Sequence, residues 1–219
     1  MFIGGTNVTH PEELKKYIVE YQMYYPLLIA LIVLIYLLIP TYERPRVIPN
    51  VLTEEERKYI MEKALPELKT STVASERIVD KKNRVSETAW LDNNDPVIRG
   101  VIERCMKYVD RPIQNCENLQ VLRYKEDGFY KFHHDSLGGP NPRMYTFIMA
   151  LNDEYEGGET RFPNIDKSYR LKAGDVLLFD CLNNYECKDY RAIHGGLPVK
   201  GGRKWICNLW VHKYEYKPS

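Results

Sequence analysis

The chain has 219 residues, 44% of them hydrophobic, 28% charged and 12% aromatic, which is the make-up of a globular protein and excludes disorder, a collagen-like array and two large domains. Thirty-one Lys and Arg against thirty Asp and Glu leave a net charge of +1, so no average field draws the chain towards phosphates and no nucleic-acid partner is expected. The five cysteines, Cys105, Cys116, Cys181, Cys187 and Cys207, include no C-x-x-C pair, which excludes a zinc ribbon and a dense disulfide framework and leaves Cys181 and Cys187 as the nearest pair for a lumenal disulfide.

Within an N-terminal juxtamembrane segment, 1–23, Thr9 and Glu12 have capping-box spacing with Pro11 in the first turn, so a helix is expected to open there. From Tyr21 to Tyr42 no charge occurs, and Leu27 to Ile39 is apolar except for Tyr36. A bilayer core of ~30 Å needs about 17 to 25 helical residues, so 24–41 is read as a transmembrane helix, with Tyr21, Tyr24, Tyr25 and Tyr42 as interfacial anchors and a lipid membrane as partner. No small-residue cleavage site follows it, as an uncleaved anchor requires. Lys15 and Lys16 face Arg44, Arg46, Arg57 and Lys58 across the span, a bias towards a cytoplasmic C-terminal portion with which the Asn7-Val8-Thr9 sequon agrees.

The remainder, 47–219, reads as one domain. Thr53 to Glu56 is a second capping box, opening a helix to about Leu65, and Asp95 caps another that runs to Val109 with Val97, Ile98, Val101, Ile102 and Met106 as its apolar stripe. From Leu119 onward the pattern turns to strands, LQVLRY, RMYTFIMAL, DVLLFD and KWICNLWVHKY, with turns at 125–128 and 172–175. The fold class expected is α+β, mainly β: a sandwich or barrel preceded by helices.

Three of the five histidines, His133, His134 and His194, fall at strand ends, and Asp135 completes an H-x-D triplet with His133. Two imidazoles and a carboxylate on one face of an ion leave open positions for a co-substrate and O₂, the pattern of non-haem Fe(II) oxygenases. Residues two apart on a strand share a face, so His133 and Asp135 both reach one ion, and His194 is the best third ligand because His134 points the other way. Lys204 follows His194 by ten residues and shares a strand face with Ile206, Asn208, Trp210 and His212. A buried lysine there needs an anionic partner, which a dicarboxylate co-substrate would supply.

With these motifs in this order, the chain from about Val47 to His212 resembles the prolyl 4-hydroxylase family of 2-oxoglutarate- and Fe(II)-dependent dioxygenases. The resemblance rests on NVLTEEE, Arg84-Val85-Ser86, Trp90-Leu91, LQVLRY, YKFHHD, EGGETRFP, KAGDVLLF and the closing H-G-G-L-P-V…G-x-K-W…N-x-W. It implies a double-stranded β-helix (jelly-roll) barrel with the metal at its mouth. Carried over by position, His133, Asp135 and His194 bind Fe(II), Lys204 and Tyr124 take the far carboxylate of 2-oxoglutarate, and Thr160 lines that pocket. Tyr130, Arg143, Trp210, His212 and Glu117 hold a substrate proline. The implied activity is that of a membrane-anchored peptidyl-proline 4-hydroxylase that uses O₂ and 2-oxoglutarate, releases succinate and CO₂, and takes L-ascorbate as reductant. Resemblance to anchored members places the catalytic domain in the secretory lumen. The alternatives are a related dioxygenase on another side chain and a membrane-tethered scaffold that keeps the barrel without turnover. Departures from the pattern are Phe132, where a proline is frequent, a short Ser136–Pro142 loop, and an unusual segment over Cys181–Asp189.

Overall fold

The computed structural model describes residues 11–72, 80 and 82–218, and the chain divides into two units, Met1–Thr41 and Tyr42–Ser219. The expected cap at Thr9 and the Asn7 sequon lie outside the described residues. The first unit holds helix α1 (Pro11–Leu38), which runs through Pro26 and exposes its apolar side chains from Leu27 onward. The transmembrane span expected over 24–41 is corrected: among the described residues no helix is long and apolar enough to cross a membrane. The apolar run Leu27–Ile39 reaches only roughly 20 Å at ~1.5 Å per residue, against a bilayer core of ~30 Å. Tyrosines, Gln22 and Pro26 occupy the turns before it.

The second unit opens with β1 (Arg46–Ile48) and α2 (Glu54–Ala64). Helix α2 starts where its cap demands: the Thr53 hydroxyl accepts from the Glu56 N–H at 3.3 Å and the Glu56 carboxylate accepts from the Thr53 N–H at 2.9 Å. Short strands β2 (Lys69–Thr70), β3 (Arg84–Val85) and β4 (Glu87–Leu91) follow, then α3 (Pro96–Met106). The Asp95 carboxylate accepts from the N–H groups of Val97 and Ile98 at 3.0 and 3.2 Å, and Pro96 fills a first-turn position that has no use for an N–H. This helix stops at Met106, short of the expected Val109.

The rest is strand: β5 (Leu119–Tyr124), β6 (Phe129–His133), β7 (Arg143–Ala150), β8 (Tyr155–Gly157), β9 (Thr160–Phe162), β10 (Lys167–Tyr169), β11 (Val176–Asp180), β12 (His194–Gly196), β13 (Val199–Gly202) and β14 (Lys204–His212). A seven-stranded sheet runs β1-β11-β7-β14-β5-β4-β2, a five-stranded one runs β10-β9-β12-β6-β3, and β13 pairs with β8. Each named pairing is antiparallel. The mainly β, antiparallel class expected from the sequence is what the chain adopts.

Alternation along the central strands serves two cores. Val121, Phe147, Met149, Leu178, Cys207 and Leu209 pack with Ile60 of α2 and Ile98 of α3. Their neighbours Leu122, Ile148, Leu177, Phe179 and Ile206 pack with Phe162 of the smaller sheet. Both faces of the large sheet are therefore buried, so its strands read as unbroken apolar runs rather than as apolar–polar alternation. Each fully buried side chain of this size is worth roughly 1.5–3 kcal/mol. The expected turn at 172–175 closes by the Asp175 N–H donating to the Lys172 carbonyl at 3.0 Å. Gly174 sits there at φ +93, where a Cβ would meet the Leu52 carbonyl oxygen at 2.7 Å. All five cysteines are free, with Cys181 buried and Cys187 exposed.

Asp95 joins a cap to a tertiary contact, since it also accepts from Lys63 and Tyr59, each at 2.7 Å. Burial alone would raise its carboxyl, but these hydrogen bonds and that of the Ile98 N–H bring it down to about 2. Asp95→Ala is expected to lower unfolding free energy by about 1–2 kcal/mol at neutral pH, read as a shifted urea midpoint at constant slope. Because folding lowers this pKa, the contribution is complete above the ordinary value of 3.8 and fades as pH falls towards about 2.

Candidate functional site

The centre of the site is set by strand register. His194, the first residue of β12, lies directly across from His133, the last of β6. Gly195 permits this approach, because a Cβ there would meet the Tyr130 carbonyl oxygen at 2.8 Å. Asp135 lies just beyond β6, in a bend rather than on the strand itself, and its carboxylate turns back to both rings. Oδ1 is 3.3 Å from His133 Nε2, and Oδ2 is 3.7 Å from His194 Nε2.

Tautomers follow from the other ring nitrogens. His133 Nδ1 is 2.8 Å from the Lys131 carbonyl oxygen and His194 Nδ1 is 3.0 Å from that of Ala192. A carbonyl only accepts, so each Nδ1 carries the proton and each Nε2 presents a lone pair to Asp135. Burial brings His194 down to about 4, which keeps it neutral. Burial opposes ionisation of the Asp135 carboxyl, and the Arg143 guanidinium nearby favours it. Three acceptors thus converge within 4.8 Å of one another with no proton between them, an arrangement that is unfavourable unless a cation sits among them. Two neutral imidazoles and a carboxylate suit Fe(II), so the residues present fit that metal. Thr146, fully buried on β7, donates to Asp135 Oδ2 at 2.7 Å and fixes the carboxylate. His134 is not part of the group; its Nδ1 accepts from the Ser136 N–H at 3.0 Å.

Behind the triad, one cavity is bounded by His133, His194, Tyr124, Thr160, Lys204 and Asn208. Lys204 and Tyr124 are directly opposed on β14 and β5. The Lys204 ammonium donates to the Gly158 carbonyl at 2.7 Å and lies 5.4 Å from the centre of the Tyr124 ring. Lys204 is only 4% exposed, and among the described residues no carboxylate forms an ion pair with it. Burial lowers it to about 8, with Glu159 opposing the shift and Arg170 adding to it.

In front of the triad lies an open cleft of ≈ 410 Å³ bordered by Tyr130, Arg143, Trp210, Trp90 and Tyr216. Tyr130 stacks on His133 with centroids 3.7 Å apart. The Arg143 guanidinium lies 3.8 Å from the Trp210 ring centre and forks onto Glu117 at 2.5 and 3.0 Å. Glu117 also meets His212 Nε2 at 2.8 Å. Burial would raise the Glu117 carboxyl, but His212 and Arg143 keep it low. Of the residues singled out in the sequence, His133, Asp135 and His194 form the triad, Tyr124, Thr160 and Lys204 line the rear cavity, Tyr130, Arg143 and Trp210 line the front cleft, and Glu117 and His212 join it through Arg143.

Sequence reasoning assigned no role to Thr146, Arg84 or Tyr216. Thr146 stands inside an apolar run, where a lone hydroxyl on a doubly buried strand was the available signal. Arg84 is 6% exposed, lies 4.7 Å from the Tyr130 ring centre, and keeps Nη2 without a partner. Its signal was the Arg84-Val85-Ser86 triplet, realised as an Arg84 to Ser86 hydrogen bond of 2.9 Å.

Comparison with known proteins gives the family. A family model described as the 2OG-Fe(II) oxygenase superfamily matches residues 119–212. The chain is 34% identical over 190 residues to a putative prolyl 4-hydroxylase of Acanthamoeba polyphaga mimivirus, covering 80% of this chain and 76% of that one. To the probable prolyl 4-hydroxylase 10 of Arabidopsis thaliana it is 32% identical, covering 80% and 70%. Among solved structures, the 2OG complex of a viral collagen prolyl hydroxylase from Paramecium bursaria Chlorella virus-1 shares the fold, with a TM-score of 0.66 at 24% identity over 78% of this chain and 97% of that one.

Thr146→Val removes the hydroxyl that holds Asp135 and keeps the shape of the side chain. It is expected to weaken metal binding by about tenfold, measured by calorimetric titration with Mn(II) in place of Fe(II).

Proposed function

The chain belongs to the prolyl 4-hydroxylase family of 2-oxoglutarate- and Fe(II)-dependent dioxygenases, and on that premise we propose that it is a peptidyl-proline 4-hydroxylase. As a 2-oxoglutarate-dependent Fe(II) enzyme it uses Fe(II), 2-oxoglutarate and O₂, with L-ascorbate as the typical reductant of prolyl hydroxylases. The observation that carries the reading is Lys204, a buried ammonium without a carboxylate partner among the described residues, opening on the cavity that His133 and His194 also border.

In this mechanism His133, Asp135 and His194 would hold the iron through Nε2, a carboxylate oxygen and Nε2. Lys204 takes the far carboxylate of 2-oxoglutarate, and the hydroxyls of Tyr124 and Thr160 donate beside it. Iron and 2-oxoglutarate bound there would supply the chemistry, oxidation of an unactivated C–H bond by O₂ with the co-substrate leaving as succinate and CO₂. The chain contributes position: Tyr130 and Trp210 offer ring faces to the pyrrolidine, and the Glu117–Arg143–His212 cluster holds the polar side of the cleft rigid. Prolyl hydroxylases as relatives and an aromatic cleft beside the triad support proline as the target.

The test is succinate release by the full chain with Fe(II), 2-oxoglutarate and ascorbate, with and without proline-rich peptides, and peptide mass in parallel. The expected outcome is peptide-dependent succinate with one oxygen atom gained on proline, lost in His133→Ala. Succinate without peptide oxidation would overturn proline as substrate, and absence of turnover with metal bound would overturn the enzyme reading.

The rear cavity adds a pH prediction. Lys204 is cationic below about 8 and neutral above it, so kcat/KM for 2-oxoglutarate is expected to fall as pH rises through that value. Lys204→Met, which has no proton to lose, is expected to show a low and pH-independent kcat/KM over the same interval.

A further inference from the structure

The tail after β14 is built into the front cleft, although the family match ends at residue 212. The Lys213 N–H donates to the Pro142 carbonyl at 3.0 Å. One side chain then clamps the next residues. Asn141 Oδ1 accepts from the Tyr214 N–H at 2.8 Å, while its Nδ2 donates to the carbonyls of Tyr214 and Glu215 at 3.4 and 3.2 Å. The Tyr216 N–H donates to the Gln114 carbonyl at 3.0 Å.

This strap delivers the Tyr216 ring to the cleft wall. The ring stacks on His212 with centroids 4.9 Å apart and planes at 27°. From His212 the contacts run through Glu117 to Arg143, whose Nη1 donates to the Asp135 carbonyl at 3.3 Å. The tail is thus tied to the metal centre through an unbroken chain of contacts, and its aromatic ring borders the same space as Trp90 and Trp210. Proline-rich segments dock on aromatic surfaces because their rings are flat, apolar and already ordered, so little entropy is lost on contact.

Resting on the function proposed above, we infer that the strap Lys213–Lys217 is part of the peptide-binding cleft and that Tyr216 contacts the residue next to the target proline, selecting a proline or similar apolar ring there. Tyr216 is a specificity residue. It does not take part in bond breaking.

The experiment compares the full-length wild type, Tyr216→Ala, Tyr216→Phe and Asn141→Ala on two peptides that differ only in a Pro or a Gly beside the target proline. Tyr216→Ala is expected to raise KM for the Pro-flanked peptide by about tenfold and for the Gly-flanked peptide by less than about twofold. Tyr216→Phe is expected to match the wild type, since the ring is kept. Asn141→Ala, which frees the strap without touching the ring, is expected to reproduce the alanine pattern. In all variants kcat and the KM for 2-oxoglutarate stay at the wild-type level, a split that a general loss of packing would not give. Equal KM changes for the two peptides, or no rescue by phenylalanine, would overturn the inference while leaving the hydroxylase reading intact. A wild type that consumes 2-oxoglutarate but oxidises neither peptide would overturn the hydroxylase reading and the inference with it.

Discussion

The pairing of His194 with His133 across two antiparallel strands governs the rest of the site. A slip of one residue between β6 and β12 would turn one imidazole to the opposite face, and Asp135, just past the end of β6, would close on empty space. What holds the register is local and steric: a glycine after His194 where no larger residue fits against Tyr130, and carbonyl oxygens that seize both Nδ1 atoms. The same bonds settle which nitrogen is basic, so strand alignment and ligand chemistry are one constraint.

Around that point the molecule places polar groups where a hydrophobic core would be more stable. The inner face of β14 carries Lys204, Asn208 and His212 between the apolar Ile206 and Trp210. Thr146 interrupts β7, and Arg84, Asn208 and Trp210 each keep a buried polar atom without a partner. Unmet hydrogen-bonding capacity of this kind costs about 1–3 kcal/mol per group. The outer face of the same strand, with Cys207, Leu209 and Val211 at 0% exposure, offsets it. One sheet therefore divides its labour between faces, with stability towards the helices and chemistry towards the smaller sheet.

Legibility in the sequence follows the same division. Strands β5, β7, β11 and β14 announced themselves because burial on both faces leaves long apolar runs, and α2 and α3 because their caps are written in side chains. Strands of two to four residues, such as β3, β8 and β12, are too short to carry a period and exist only through their partners. At the site, His133 and Asp135 were visible from their spacing and Lys204 from its place on a buried face. His194 was the best remaining histidine because His134 points the other way. Thr146 and Tyr216 had no spacing to reveal them, because one touches Asp135 from a different strand and the other lies beyond the last strand. In the N-terminal unit the uncharged stretch suggested a longer apolar span than helix α1 provides, since tyrosines and Pro26 take up its first turns.

The gathering of three acceptors, and of a buried ammonium with no carboxylate partner among the described residues, also bears on how long the chain stays folded. Groups that oppose one another in the free protein are satisfied only when metal and co-substrate are present, and ligands that bind the native state alone stabilise it by mass action. The folded fraction, and with it exposure to proteolysis, is thereby linked to the supply of iron and 2-oxoglutarate. Scarcity of either shortens the lifetime of the catalyst as well as slowing its turnover.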